Sequence, residues 1–147
     1  MDDGDLAVRN LTYRLFVRLG RAPTVAEVCD ESGAPAGDVR LAWERLHRDH
    51  ALVLQPGGAE LRMANPFSAV PTAHRVDAGG RWWYANCGWD AFGVCAALRT
   101  DGRIETSCPD CGKRVDIEVR DRRPDDASLV FHCLVPAARW WDDIGFT

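Results

Sequence analysis

No run in this chain approaches the roughly 20 consecutive apolar residues that a membrane-spanning helix requires, so nothing in the sequence predicts insertion into a bilayer. A secretory leader is missing as well. The chain opens Met1-Asp2-Asp3-Gly4-Asp5, whereas an export signal begins basic and then turns apolar. Together these absences predict a cytoplasmic protein. There is no excess of positive charge: 18 basic residues stand against 22 acidic ones, a net charge of -4, which offers no general attraction to nucleic acid or to anionic membranes. Internal repeats and low-complexity segments are also lacking, which leaves 147 residues for one ordinary domain or two small ones. Without an export signal, the six cysteines (29, 87, 95, 108, 111 and 133) read as reduced thiols, metal ligands or a nucleophile rather than as three disulfides.

What is present changes character near Asn65. Before it the pattern is helical. Val8, Leu11, Leu15 and Leu19 recur at steps of three and four, one face of a helix that Asp5 is placed to cap. Thr24-Val25-Ala26-Glu27 reads as a capping box opening a second helix, with Cys29 on its core side. A third helix is expected from about Pro35 to His50, with Val39, Ala42, Trp43 and Leu46 as its buried stripe. A small hairpin follows, Ala51–Leu54 and Glu60–Met63 around Pro56-Gly57-Gly58. Three helices and a hairpin predict a winged-helix unit over residues 1–64. After Asn65-Pro66 the signals are mostly strands: Arg81–Ala85, Arg103–Thr106, the alternating Val115, Ile117 and Val119, and Ser128–Leu134. A helix is expected at Asp90–Leu98. The fold class is therefore α+β: a winged-helix front followed, over residues 65–147, by a partial mixed β-sheet domain with short helices.

The segment Tyr84-Ala85-Asn86-Cys87-Gly88-Trp89-Asp90-Ala91-Phe92 places a thiol three residues before a carboxylate. In a helical turn, residues at that spacing share a face, and a helix N-terminus beside the thiol lowers its pKa. With Asn65-Pro66-Phe67-Ser68, Pro71-Thr72, Cys108-Pro109-Asp110-Cys111-Gly112 and Trp140-Trp141-Asp142-Asp143-Ile144, this segment resembles the organomercurial (alkylmercury) lyase family. The resemblance covers residues 65–147, and the front half matches the family's arrangement. It implies an enzyme that cleaves a carbon–mercury bond by protonolysis, giving a hydrocarbon and mercury(II), with Cys87 as attacking thiolate and mercury ligand and Asp90 as proton relay. Mercury(II) is soft and prefers thiolates, and the departing carbon needs a proton that a neighbouring carboxyl can carry. Trp83, Trp89 and Phe92 are candidates to hold the organic group. No organic cofactor is implied; the partners implied are an organomercurial substrate and external thiols or a mercury-accepting protein.

The family pattern also implies a second catalytic cysteine after the segment that Trp140–Phe146 resembles. This sequence reaches Thr147 about where that cysteine is expected, so none is assigned and the chain reads as truncated relative to the family. Cys95 and Cys133 are the thiols open to recruitment, although each reads first as a buried packing residue. With one thiolate alone, the expectation is mercury binding with weak or absent cleavage.

Cys108-x-x-Cys111 has half the ligands of a tetrahedral zinc site, and completion would need Cys133, His132, His74 or another chain. Its other readings are a tight turn or an accessory mercury-trapping pair. His47 and His50 read as solvated or packing. Two further functions stay open, a non-catalytic mercury-binding remnant and a metal-responsive DNA-binding regulator. A regulator would use Arg40, Arg45 and Arg48 against phosphates. Residues 1–64 carry eight arginines against ten acids, however, and a DNA-reading domain usually shows a basic footprint, so DNA is not expected as a partner.

Overall fold

A computed structural model describes residues 1–58 and 60–146. The front of the chain is helical: α1 (Asp3–Leu19), α2 (Val25–Ser32) and α3 (Ala36–Arg48). Asp2, not Asp5, caps α1, its carboxylate accepting from the Asp5 backbone N–H at 2.8 Å. Asp5 is buried instead, and the Arg45 guanidinium of α3 grips its carboxylate at 2.7–3.0 Å. That guanidinium holds the Asp5 carboxyl below the usual carboxylate range. The capping box of α2 forms as the sequence predicts, with Thr24 and Glu27 each satisfying the other's backbone donor. Val39, Ala42, Trp43 and Leu46 are all buried on α3. The Trp43 indole donates to Thr12 Oγ1 at 3.0 Å, and Thr12 donates to the Val8 carbonyl at 2.8 Å, so the deepest polar atoms of this core are paired.

Strands β1 (Val53–Leu54) and β2 (Leu61–Ala64) form the expected hairpin, and β3 (Phe67–Ser68) adds a third strand. A second sheet has the order β5-β4-β6-β7-β8, built from β4 (Arg75–Ala78), β5 (Arg81–Tyr84), β6 (Gly102–Ser107), β7 (Arg114–Arg120) and β8 (Arg123–Pro124). The α+β class holds, but every strand pair among the described residues is antiparallel, where a mixed sheet was expected. The reason lies in the connections. Tight turns join β4 to β5 and β6 to β7, while α4 (Gly88–Leu98) carries the chain across β4, so that β5 and β6 flank it and run the same way.

The two parts share their packing. Phe16 of α1 stacks on Phe67, ring centroids 5.2 Å apart, and Phe67 packs on Trp83 at 5.0 Å. Phe16 thereby joins the core formed by α4 and the five-stranded sheet.

The segment Ser128–Leu134, expected as a strand, is irregular. The segment lies over the start of α4, where Phe131 meets Trp89 and Gly88. A short 3₁₀ helix, Ala137–Asp142, then brings Trp141 face to face with His50, centroids 4.1 Å apart. No helix among the described residues is long and apolar enough to cross a membrane.

Candidate active site

The site is built where β5 hands over to α4. Ala85 is fixed on both sides of its peptide: its N–H donates to the His74 carbonyl at 2.9 Å, and its own carbonyl accepts from Thr72 Oγ1 at 2.6 Å. From that anchor Asn86 and Cys87 turn the chain into the helix. Cys87 has extended backbone and is itself the N-cap, with its sulfur accepting the Asp90 N–H at 3.5 Å. The helix therefore starts at Gly88, before the Asp90 start that the sequence suggested. A thiol occupies the place where a serine or aspartate oxygen usually sits.

Asp90 lies one turn in. The Asn86 side-chain amide donates to its carboxylate at 2.9 Å, and the same nitrogen lies 3.2 Å from Asn65 Oδ1 and 3.3 Å from the Pro66 carbonyl. Asn86 thus ties Asp90 to the turn before β3. Its own Oδ1 is buried without a hydrogen-bond partner among the described residues. Pro66 in turn rests on α4 at Gly93, where an added Cβ would come within 2.9 Å of the proline ring. Asn86 and Gly93 were given no role from the sequence. Their signal was only adjacency to the cysteine and the aspartate. Tyr13, donating to the Asn65 carbonyl at 3.0 Å, also went unnoticed because α1 is distant in sequence; Asp90 adds to the burial that holds the Tyr13 phenol up.

Electrostatics overturn one expectation. The helix start was expected to depress the Cys87 pKa. Burial pushes the thiol up instead, and the N–H groups of Asp90 and Trp89 only partly offset it, while the negative charges of Asp90 and Cys133 add to the rise. Burial also lifts the Asp90 carboxyl above the usual carboxylate range, with the Asn86 bond pulling back. Desolvation penalises the charged form of each group, so the pair favours a protonated thiol beside a carboxyl of raised basicity. Such a carboxyl can take the thiol proton and give it up again.

The proposed organic-group residues separate. Trp83 is only 4% exposed, its indole donating to the Ala78 carbonyl, so it packs behind the site in the core and does not face an incoming ligand. Phe92 is half-buried against the same core. Trp89 is 59% exposed and faces Phe131 at 6.0 Å between centroids. Phe131 also lies over Gly88, where an added Cβ would stand 3.2 Å from its ring. An aromatic wall of Trp89 and Phe131 therefore stands at the mouth of the Cys87 turn.

Among the remaining thiols, Cys95 is buried, its sulfur packed against Gly102, in keeping with a packing role. Cys133 is exposed, which corrects its reading as a buried residue. It sits in the irregular segment that crosses the start of α4, two residues beyond Phe131. Cys108 is half-buried and Cys111 exposed. They flank the turn between β6 and β7, and Gly112 adopts φ 71° there, a left-handed conformation that glycine takes without strain. Among the described residues no group of three or more His, Cys, Asp or Glu side chains is placed to hold a metal, so the zinc ligand set raised from the sequence is not assembled.

Two surface clefts lie elsewhere. One, about 950 Å³, is an open groove along α3, β1 and Arg62; the other, about 490 Å³, follows the β4–β5 turn. Neither includes Cys87 or Asp90.

Fold and site together describe an α+β protein that presents a thiol and a carboxyl from a single helix start. The alkylmercury lyase family model (MerB) matches residues 67–147, more than half of the chain, and the chain belongs to that family. Among solved structures, the crystal structure of the mercury-bound form of MerB2 has the same fold, with a TM-score of 0.67 at 20% sequence identity. The match covers 86% of this chain and 60% of that one, so the chain spans well under two thirds of that relative's length. No curated protein sequence matches the chain.

Proposed function

We propose that this protein cleaves the carbon–mercury bond of organomercurials by protonolysis, with Cys87 as the mercury-binding nucleophile and Asp90 as the proton relay. The observation that carries this reading is the single helical turn holding both groups, with the carboxyl made more basic by burial. In the first step the Cys87 sulfur bonds to mercury, its counter-ligand leaves, and Asp90 takes the thiol proton. In the second, the electron pair of the carbon–mercury bond stays with carbon, which accepts that proton and departs as a hydrocarbon. Mercury remains in the +2 state throughout. A second thiolate replaces the lost carbon ligand. Cys133 is the thiol we assign, because its side chain is exposed on the segment whose Phe131 packs over the start of α4, whereas the sulfur of Cys95 is packed against Gly102. Trp89 and Phe131 supply the apolar surface against which an alkyl or aryl group rests.

The test is direct. Purified protein incubated with a phenylmercury salt should release benzene, and Cys87→Ser or Asp90→Ala should abolish the release. Stoichiometric mercury binding with no benzene from the wild type would replace this reading with that of a mercury-binding protein without turnover. The regulator reading is weakened by one contact: Arg45, a phosphate-binding candidate on α3, is committed to the buried Asp5 carboxylate.

A further inference from the structure

The five-stranded sheet brings a second thiol site to the same end as Cys87. Both β5 and β6 pair with β4 and run in the same direction, and Tyr84 and Glu105 face Arg75 from its two sides. Cys87 and Cys108 each lie three residues past that common row. Two strand spacings, about 10 Å, separate the two chain paths. His74 spans the gap: its carbonyl accepts from Ala85, two residues before Cys87, and its Nδ1 lies 2.8 Å from Thr106 Oγ1, two residues before Cys108. Burial holds the His74 imidazole below its usual pKa, so it is neutral at neutral pH and puts no positive charge between the two sites.

The turn itself is built to present sulfur. The Cys108 N–H donates to the Lys113 carbonyl at 2.9 Å and the Gly112 N–H to the Cys108 carbonyl at 2.9 Å, closing a tight loop. That loop sets the two sulfurs three residues apart in one turn, with Cys108 half-buried and Cys111 exposed. Among the described residues the pair has no third or fourth ligand of the kind zinc needs. A soft ion content with two thiolates has no such requirement.

We propose that Cys108 and Cys111 form a two-thiolate acceptor that takes mercury(II) from Cys87 within the same chain. The exchange balances without any change of oxidation state. The Cys108 thiolate and then the Cys111 sulfur bond to mercury, the Cys87–mercury and Cys133–mercury bonds break, the Cys111 proton passes to the Cys87 sulfur, and Cys133 leaves as its thiolate. The pair outcompetes Cys87 because its two sulfurs are held three residues apart in one turn, so that the second bond closes intramolecularly. Cys133, by contrast, must reach Cys87 from an irregular segment. The transfer step rests on Cys87 being where the proposed reaction leaves mercury; capture by the pair does not.

Footprinting of the full, reduced chain separates the two ideas. One equivalent of mercuric chloride is added, iodoacetamide follows, and each cysteine peptide is quantified against its own metal-free labelling rate. Protection of Cys108 and Cys111 by tenfold or more, with Cys87 still labelled, is the expected result. Protection centred on Cys87, or spread evenly over the thiols, would overturn the proposal. The Cys108→Ser/Cys111→Ser double variant should then move the protection to Cys87 while leaving single-turnover benzene release at the wild-type level. A chain that releases benzene but shows no footprint at the pair refutes this inference alone. One with the footprint but no benzene refutes the lyase reading and leaves the acceptor standing.

Discussion

The turn at Cys87 and the turn at Cys108 use the same device and reach opposite results. In each, a cysteine sulfur accepts hydrogen bonds from backbone N–H groups two and three residues ahead. Cys108 falls below the ordinary thiol pKa because the backbone donors of Cys111 and Asp110 outweigh its burial. Cys87 rises above it because burial outweighs the same bonds, and the Asp90 charge beside it adds to the penalty. Backbone dipoles at a helix or turn start therefore do not by themselves activate a thiol; the solvent around the sulfur decides the sign. The comparison also suggests a division of labour. A protonated Cys87 beside a basic carboxyl suits a step in which a proton must be stored and returned, while a Cys108 thiol that gives up its proton more readily suits capture.

The largest effect that would test this contrast is in reactivity. At neutral pH the metal-free chain should be alkylated several-fold faster at Cys108 than at Cys87, since the two thiols are shifted in opposite directions and the thiolate is the reacting form. Time-resolved labelling with peptide mass spectrometry measures both at once. Equal rates, or a faster Cys87, would break the comparison.

Asp90→Asn sharpens it. Removing the carboxylate charge lowers the Cys87 pKa, so labelling of Cys87 should speed up several-fold at pH 7 even as benzene release is lost. The pH at half-maximal Cys87 labelling should move down while that of Cys108 stays put. Asn86→Ala acts the other way on the carboxyl. Its amide bond lowers the Asp90 pKa, so its loss should raise that pKa further and shift the acidic limb of any activity profile to higher pH.

The helical front of the chain was readable because its signals are local. Apolar spacing on α3, the capping box at Thr24 and the turn at Pro56-Gly57-Gly58 each specify structure within a few residues, and the structure has them. Errors arose where a distant partner decides. Asp5 has the right chemistry for a cap, but Arg45, forty residues on, claims it for a buried ion pair and leaves the cap to Asp2. Ser128–Leu134 has strand-like composition, but its Phe131 packs on Trp89 and Gly88 at the start of α4, a contact with residues far earlier in the chain. At the site, residue spacing was enough to nominate Cys87 and Asp90 as a pair on one turn. The direction of their pKa shifts was not readable, because it depends on burial supplied by Phe67, Pro66 and the sheet. Asn86 was hidden for the same reason, since its partners at Asn65 and Pro66 come close only when β3 meets β5 through Phe67 and Ala85.

Two glycine substitutions probe the supports of the two turns. Gly93→Ala places a methyl within 2.9 Å of the Pro66 ring, with a second proline atom at 3.5 Å. Overpacking of this kind costs about 1–3 kcal/mol, so the melting temperature should fall by several degrees. Cys87 labelling should rise as α4 is levered away from the Asn65-Pro66 turn and solvent reaches the sulfur, while Cys108 is unaffected. An unchanged melting temperature would mean that Pro66 yields without cost and does not buttress the site.

Gly112→Ala should give the smallest effect on stability and the most local one. Nothing lies within 4 Å of the methyl it adds, so sterics with neighbours contribute nothing. The penalty comes only from the left-handed φ of 71°, about 1 kcal/mol for an alanine, and an exposed turn can relax it by opening without disturbing the core. The melting temperature should therefore barely move. The Cys108 thiol, however, depends on the closed loop for its N–H donors. Once Gly112 no longer bonds back to the Cys108 carbonyl, its pKa should climb toward the ordinary thiol value, and its labelling at pH 7 should slow several-fold toward that of an unassisted cysteine. If Cys108 kept its reactivity in this variant, the advantage over Cys87 would come from exposure alone, and the backbone donors would count for nothing in either turn.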